Sequence, residues 1–107
     1  MATSKEYIEF VQEQLTEFEG ITVRKMFGEY MVYVHGRAIL LVCDDTVFVK
    51  KRPEVAAVMR GAPEGLPYEG AKPHYLCDIE DRALLRRLVP LLEATAPPPR
   101  KRKPRET

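Results

Sequence analysis

Residues 24–50 read RKMFGEYMVYVHGRAILLVCDDTVFVK. The reading of this stretch decides the fold. Residues 29–34, EYMVYV, alternate with the period of a strand, and β-branched and aromatic side chains dominate. His35-Gly36 and Asp44-Asp45 supply turn chemistry. Between them, residues 38–43, AILLVC, are almost continuously apolar. Such a run predicts a central strand with little water on either face. Thr46–Lys50 forms the next strand. Strands joined by turns this short must pair antiparallel.

On the N-terminal side, Ile21–Met26 reads as a first strand, broken at Phe27-Gly28. Glycine permits a bend or a positive φ there that a larger residue resists. Before it, Thr3 with Glu6 three residues later fits a capping box. Tyr7, Ile8, Val11, Leu15 and Phe18 then recur at spacings of three and four. They predict one apolar face of a helix of about 14 residues, closed by Gly20.

On the C-terminal side, Pro53 and Glu54 open a short helix with Val55, Val58 and Met59 on its apolar side. Gly61 ends it. Residues 62–73 hold three prolines and two glycines and are expected to form an irregular loop. Residues 74–79, HYLCDI, make a fifth strand. Glu80-Asp81 begins a last helix whose stripe is Leu84, Leu85, Leu88, Val89 and Leu92. Pro90 should kink that helix or end its hydrogen bonding near Val89. The predicted order is α-β-β-β-β-α-β-α. The class is α+β: an antiparallel sheet of about five strands, with the first and last helices on one face. The folded domain is expected over residues 1–93. Residues 94–107 are expected to be a disordered, Pro-rich basic tail.

The 107 residues allow one domain. No apolar run reaches the roughly 18–20 residues of a membrane span. The first ten residues lack a basic segment followed by an apolar one, so no signal peptide is expected and the cytoplasm is the expected location. Cys43 and Cys77 are too few for a disulfide framework, and both read as buried thiols in neighbouring strands. The net charge of +1 hides an asymmetry. Arg100, Lys101, Arg102, Lys103 and Arg105 stand in the tail with one acid, Glu106. The body then holds 12 basic against 15 acidic residues. Clustered cations attract polyphosphate in a salt-dependent way. Without interleaved aromatics the tail predicts weak, nonspecific nucleic-acid contact, or solubilisation alone.

No catalytic constellation emerges. His35, Cys43, His74 and Cys77 are zinc-binding residue types, but His35 and Cys43 lie at opposite ends of one strand, at roughly 3.3 Å per residue. A metal site is not expected, and no cofactor is implied. His74 and Cys77, three apart on a strand, point to opposite faces and cannot act as a nucleophile–base pair. Asp44, Asp45, Asp78, Glu80 and Asp81 sit where turns and a helix start account for them. Gly61-x-x-x-Gly65 lacks the lysine of a phosphate loop.

Residues 24–30, RKMFGEY, followed by Tyr33-x-x-Gly36 and Asp45-x-x-Phe48-x-Lys50, resemble the N-terminal domain of the TfoX/Sxy family. The resemblance covers residues 7–92. It implies a small α+β domain with an antiparallel sheet. Family members are associated with control of natural competence in bacteria and work alongside a DNA-bound transcription regulator. The resemblance therefore implies a non-enzymatic regulatory or adaptor domain with a protein partner. Full-length regulators of this family carry a second, helical domain. Here the basic tail is expected in its place.

The resemblance implies Arg24, Met26, Phe27, Gly28 and Tyr30 as signature positions, and Lys25 and Glu29 stand with them in the motif. They read either as a sheet corner packed under the first helix or as a partner surface, with aromatics beside a glycine favouring the corner. Two other readings stay open. One is an enzyme or small-ligand site beneath the 62–73 loop, with His74, Tyr75 or Tyr68 beside Arg24. The other is a homodimer pairing through the edge of residues 21–26 or 74–79.

Overall fold

The computed structural model describes residues 3–26 and 28–97. The assignments made to Phe27 and to the tail cations Arg100, Lys101, Arg102, Lys103 and Arg105 therefore fall outside the described residues. Six strands form one sheet: β1 (Ile21–Met26), β2 (Glu29–Val34), β3 (Arg37–Cys43), β4 (Thr46–Lys50), β5 (Glu64–Gly65) and β6 (His74–Cys77). Their spatial order is β1-β2-β3-β4-β6-β5, and every neighbouring pair is antiparallel. β3 lies inside the sheet, as its apolar run demands.

The two turns set the register. His35 and Gly36 have φ of 49° and 81°, and Asp44 and Asp45 have φ of 51° and 53°. Each hairpin thus closes through two left-handed residues, whose twist matches that of the flanking strands. Val34 then faces Arg37, and Cys43 faces Thr46. In β3 the register slips near Ile39: Leu40 faces Val32, but Ala38 faces Tyr33. One extra residue is accommodated there as a bulge.

Alternation then sorts the side chains. Val32, Val34, Leu40, Val42, Val47 and Val49 share one face and are buried. Two helices cover it: α1 (Lys5–Gln14) and α2 (Arg82–Thr95). Their stripes, Ile8 and Val11 with Leu85, Leu88, Val89 and Leu92, complete the core. A polar seam joins the helices at their ends. The Gln14 amide donates to the Ile79 carbonyl at 2.9 Å and accepts from Arg82 at 3.0 Å. Removal of these apolar groups from water drives the packing at about 25 cal/mol per Å².

The structure corrects several local expectations. Ser4, not Thr3, caps α1; its hydroxyl accepts from the Tyr7 N–H at 3.1 Å. α1 stops at Gln14, and Phe18 packs from the turn beyond it. After β4 comes a single 3-10 turn, Pro53–Val55, followed by turns to Gly61. The 62–73 loop contains β5, which pairs with β6, so the sheet has six strands. The 74–79 edge is therefore covered at His74 and Tyr75, and β1 stays an open edge. Cys43 and Cys77 are both buried free thiols, but they do not sit in neighbouring strands. β4 separates them, and they project to opposite faces, because their partners Thr46 and Val47 are consecutive.

Pro90 does not end α2, which runs on to Thr95. Pro90 is exposed, as is Arg86 one turn earlier, whose carbonyl loses its helical partner. That carbonyl can be satisfied by water, while Leu85, Leu88 and Leu92 hold the other side against the sheet. No helix among the described residues is long and apolar enough to cross a membrane.

Candidate functional site

The described residues of the 24–30 motif divide into two groups. Glu29 and Tyr30 are structural. The Thr3 hydroxyl lies 2.9 Å from Glu29 Oε1 and 3.2 Å from the Val42 carbonyl, and its one proton serves either acceptor. The Asp44 N–H donates to the same carboxylate oxygen at 3.2 Å. Thr3 N–H donates to the Gly28 carbonyl at 3.2 Å, and Ser4 N–H to the Asp45 carboxylate at 2.8 Å. The start of α1 is thereby tied to the β1–β2 corner and to the β3–β4 turn. Gly28, with φ of 83°, makes that corner. Tyr30 packs on the rim of the core.

Arg24, Lys25 and Met26 form the second group. All three are exposed, and they end the edge strand β1. Arg24 and Met26 lie on the face opposite the helices, because their partners Met31 and Glu29 alternate with buried Val32. Met26, 39% exposed, borders a hollow of about 400 Å³ shared with Leu41, Cys43 and Tyr68.

A larger cleft of about 820 Å³ takes its floor from the same face and reaches the end of α2. Met31, Leu41 and Phe48 make its floor, and the 62–73 loop overhangs it through Tyr68 and Pro73. Leu92 and Ala96, at the end of α2, close one side. Lys50, Lys51, Arg52, Lys72 and His74 also line it, and no Asp or Glu does. Two of the three residues expected at a concave site thus reach the cleft, His74 and Tyr68. Tyr75 lies on the helix-side face with Val49, where Lys51 sits 5.4 Å from its ring, and Arg24 is not on the cleft wall. The cations of the cleft were not singled out by motif reading. The run Lys50-Lys51-Arg52 was the available signal.

His35 serves the fold. Its N–H donates to the Gly20 carbonyl at 2.9 Å, and its ring nitrogen Nδ1 lies 2.8 Å from Glu93 Oε2. His74 Nδ1 donates to the Lys72 carbonyl at 2.8 Å. No group of three or more His, Cys, Asp or Glu that could hold a metal occurs among the described residues. Burial pushes the Cys77 thiol up to about 12 and the Cys43 thiol up to about 11. At neutral pH both are protonated, the opposite of an activated nucleophile. Burial, with Asp45 adding to it, also raises the Tyr7 phenol.

The fold defines a small α+β domain with an edge-strand corner. The TfoX N-terminal domain family matches residues 13–85, and the chain belongs to that family. Membership supports a competence-related regulatory domain. The chain is also 30% identical over 105 residues to an uncharacterized 12.7 kDa protein of Spirochaeta aurantia, encoded in the trpE 5′ region. The match spans 96% of this chain and 91% of that protein.

Proposed function

We propose that the chain is a non-enzymatic regulatory adaptor that docks on another protein through the β1 edge and the Met26 corner. The observation that carries this reading is the run Arg24, Lys25, Met26. Arg24 and Met26 are signature positions of the resemblance, and all three residues are exposed on an open edge strand beside an apolar hollow. Core packing explains Glu29 and Tyr30 but gives Arg24 and Lys25 no task. Edge backbone groups supply affinity in such contacts, and a hollow beside them takes an anchoring side chain. A transcription regulator is the partner class that the family suggests. The five tail cations would add weak, nonspecific affinity for the nucleic acid on which such a partner sits.

The test begins with a pull-down from the native cell and continues with the purified partner. Arg24→Glu and Met26→Asp lie on the surface and should leave the melting temperature unchanged. Each is expected to weaken partner binding by about tenfold or more. Unchanged affinity in both variants rules the corner out. For the tail, DNA binding of the full chain and of a chain ending at Thr95 is compared across salt concentrations. Five phosphate contacts give a slope of about −4.5 in log K against log salt. Equal affinities would remove any role for the tail.

A further inference from the structure

The larger cleft has a chemistry that neither the adaptor reading nor the family match uses. Its floor is apolar, with Phe48 only 7% exposed beneath it. Its cations are gathered at β4, at the residues just after it, and on the overhanging loop. One of them, Lys51, is already engaged, its ammonium 3.0 Å from Glu64 and stacked over Tyr75. Lys50, Arg52 and Lys72 have no side-chain hydrogen bond or ion pair among the described residues. His74 is held in place, since its Nδ1 hydrogen is directed to the Lys72 carbonyl and its ring stands edge-on to Phe48, centroids 6.4 Å apart. Nε2 is left as the polar atom of that ring with no hydrogen-bond partner among the described residues.

Like charges brought together repel, and a fold gains nothing from collecting them around a greasy hollow. A ligand that brings an opposite charge relieves that repulsion. The volume, about 820 Å³, lies in the range of small-molecule sites, which run to roughly 1,000 Å³. We infer that this cleft binds an amphipathic anion: an acyl chain or aromatic body lying on Met31, Leu41 and Phe48, with its anionic head held by Lys50, Lys72 and His74. Carboxylate and phosphate heads share the needed chemistry. The tail does not suit the cleft, although the chain leaves from its rim at Pro97, because residues 98–107 bring five more cations and one acid.

The full chain is titrated with 1-anilinonaphthalene-8-sulfonate, read by fluorescence, and the probe is then displaced by dodecanoate, dodecyl phosphate, dodecanol and inorganic phosphate. Both long-chain anions should displace it, and their order identifies the preferred head. Dodecanol and inorganic phosphate should each be at least about tenfold weaker, since each offers half of the match. Lys50→Glu combined with Lys72→Glu changes two exposed side chains and leaves the melt intact. It should weaken the anions about tenfold or more while altering dodecanol less than twofold. A chain with the five tail cations replaced by Gln should bind as the natural one does. The inference is overturned by no saturable probe binding, by equal displacement with dodecanol, or by equal displacement with inorganic phosphate. It is also overturned if the loss follows the tail variant and not the lysine pair. None of these outcomes bears on the β1 corner, so the two readings stand or fall separately.

Discussion

Gly20→Ala is the most informative single change to the scaffold. Gly20 has a φ of +76°, and a Cβ built there would stand 2.3 Å from His35 Cδ2 and 2.6 Å from Nε2. The left-handed backbone alone costs an alanine about 1–2 kcal/mol. The ring must also swing aside, which breaks its 2.8 Å contact with Glu93. With His35 55% exposed, that contact is worth only about 0–1 kcal/mol. The single variant should therefore lose about 1–3 kcal/mol. His35→Ala alone should lose less than about 1 kcal/mol. In the double variant the ring that the new methyl group meets is gone, so the loss should fall back toward the backbone term and be less than the sum of the two. Urea unfolding gives the three differences, provided the slope m is unchanged. Strict additivity, or a Gly20→Ala variant as stable as the parent, would refute the reasoning from this contact.

Other perturbations separate the remaining parts of the scaffold. Glu29→Ala should cost about 1 kcal/mol and speed hydrogen exchange at the Asp44 amide, whereas Glu29→Gln, which keeps the acceptor, should do neither fully. Leu88→Ala removes a side chain with 0% exposure and should cost about 2–5 kcal/mol in denaturant unfolding. Burial holds the folded thiols at about 11 and about 12, above the unfolded value near 8.5. Their contribution is whole below the unfolded value and is lost as pH rises through the folded ones. Stability under reducing conditions should thus fall above pH ~9, by at most about 1.4 kcal/mol per pH unit for each thiol. Cys77→Ala should flatten that decline relative to its own neutral-pH stability.

Much of this architecture was legible because local and tertiary preferences agree. Asp44-Asp45 and His35-Gly36 tolerate left-handed φ, and AILLVC can satisfy its side chains only inside a sheet. The misses occur where a distant partner decides. Glu64–Gly65 has no strand propensity of its own and is extended because β6 offers it hydrogen bonds. Thr3 looks like a cap by spacing, but the β1–β2 corner claims its hydroxyl. Pro90 breaks helices in isolation, yet here its ring faces water and its neighbours are anchored in the core. Burial of the two thiols follows from their apolar strands, but β4 stands between them. The Met26 corner could be read from its motif. The cleft could not, because it is assembled from four strands, a loop and the end of α2.

The irregularity at Ile39 has a consequence for chain length. In a regular strand Arg37, three positions before Leu40, would project away from the helices. The inserted residue reverses this and sets Arg37 opposite Val34, where its guanidinium donates to the Ala96 carbonyl at 2.9 Å. The arginine thereby clasps the place where α2 finishes. Removing one residue between Gly36 and Leu40 would release that clasp while leaving the composition almost untouched. Trimming one between Leu66 and Lys72 would alter only the overhang. Homologues should thus vary in length across the latter span and keep a fixed count across the former.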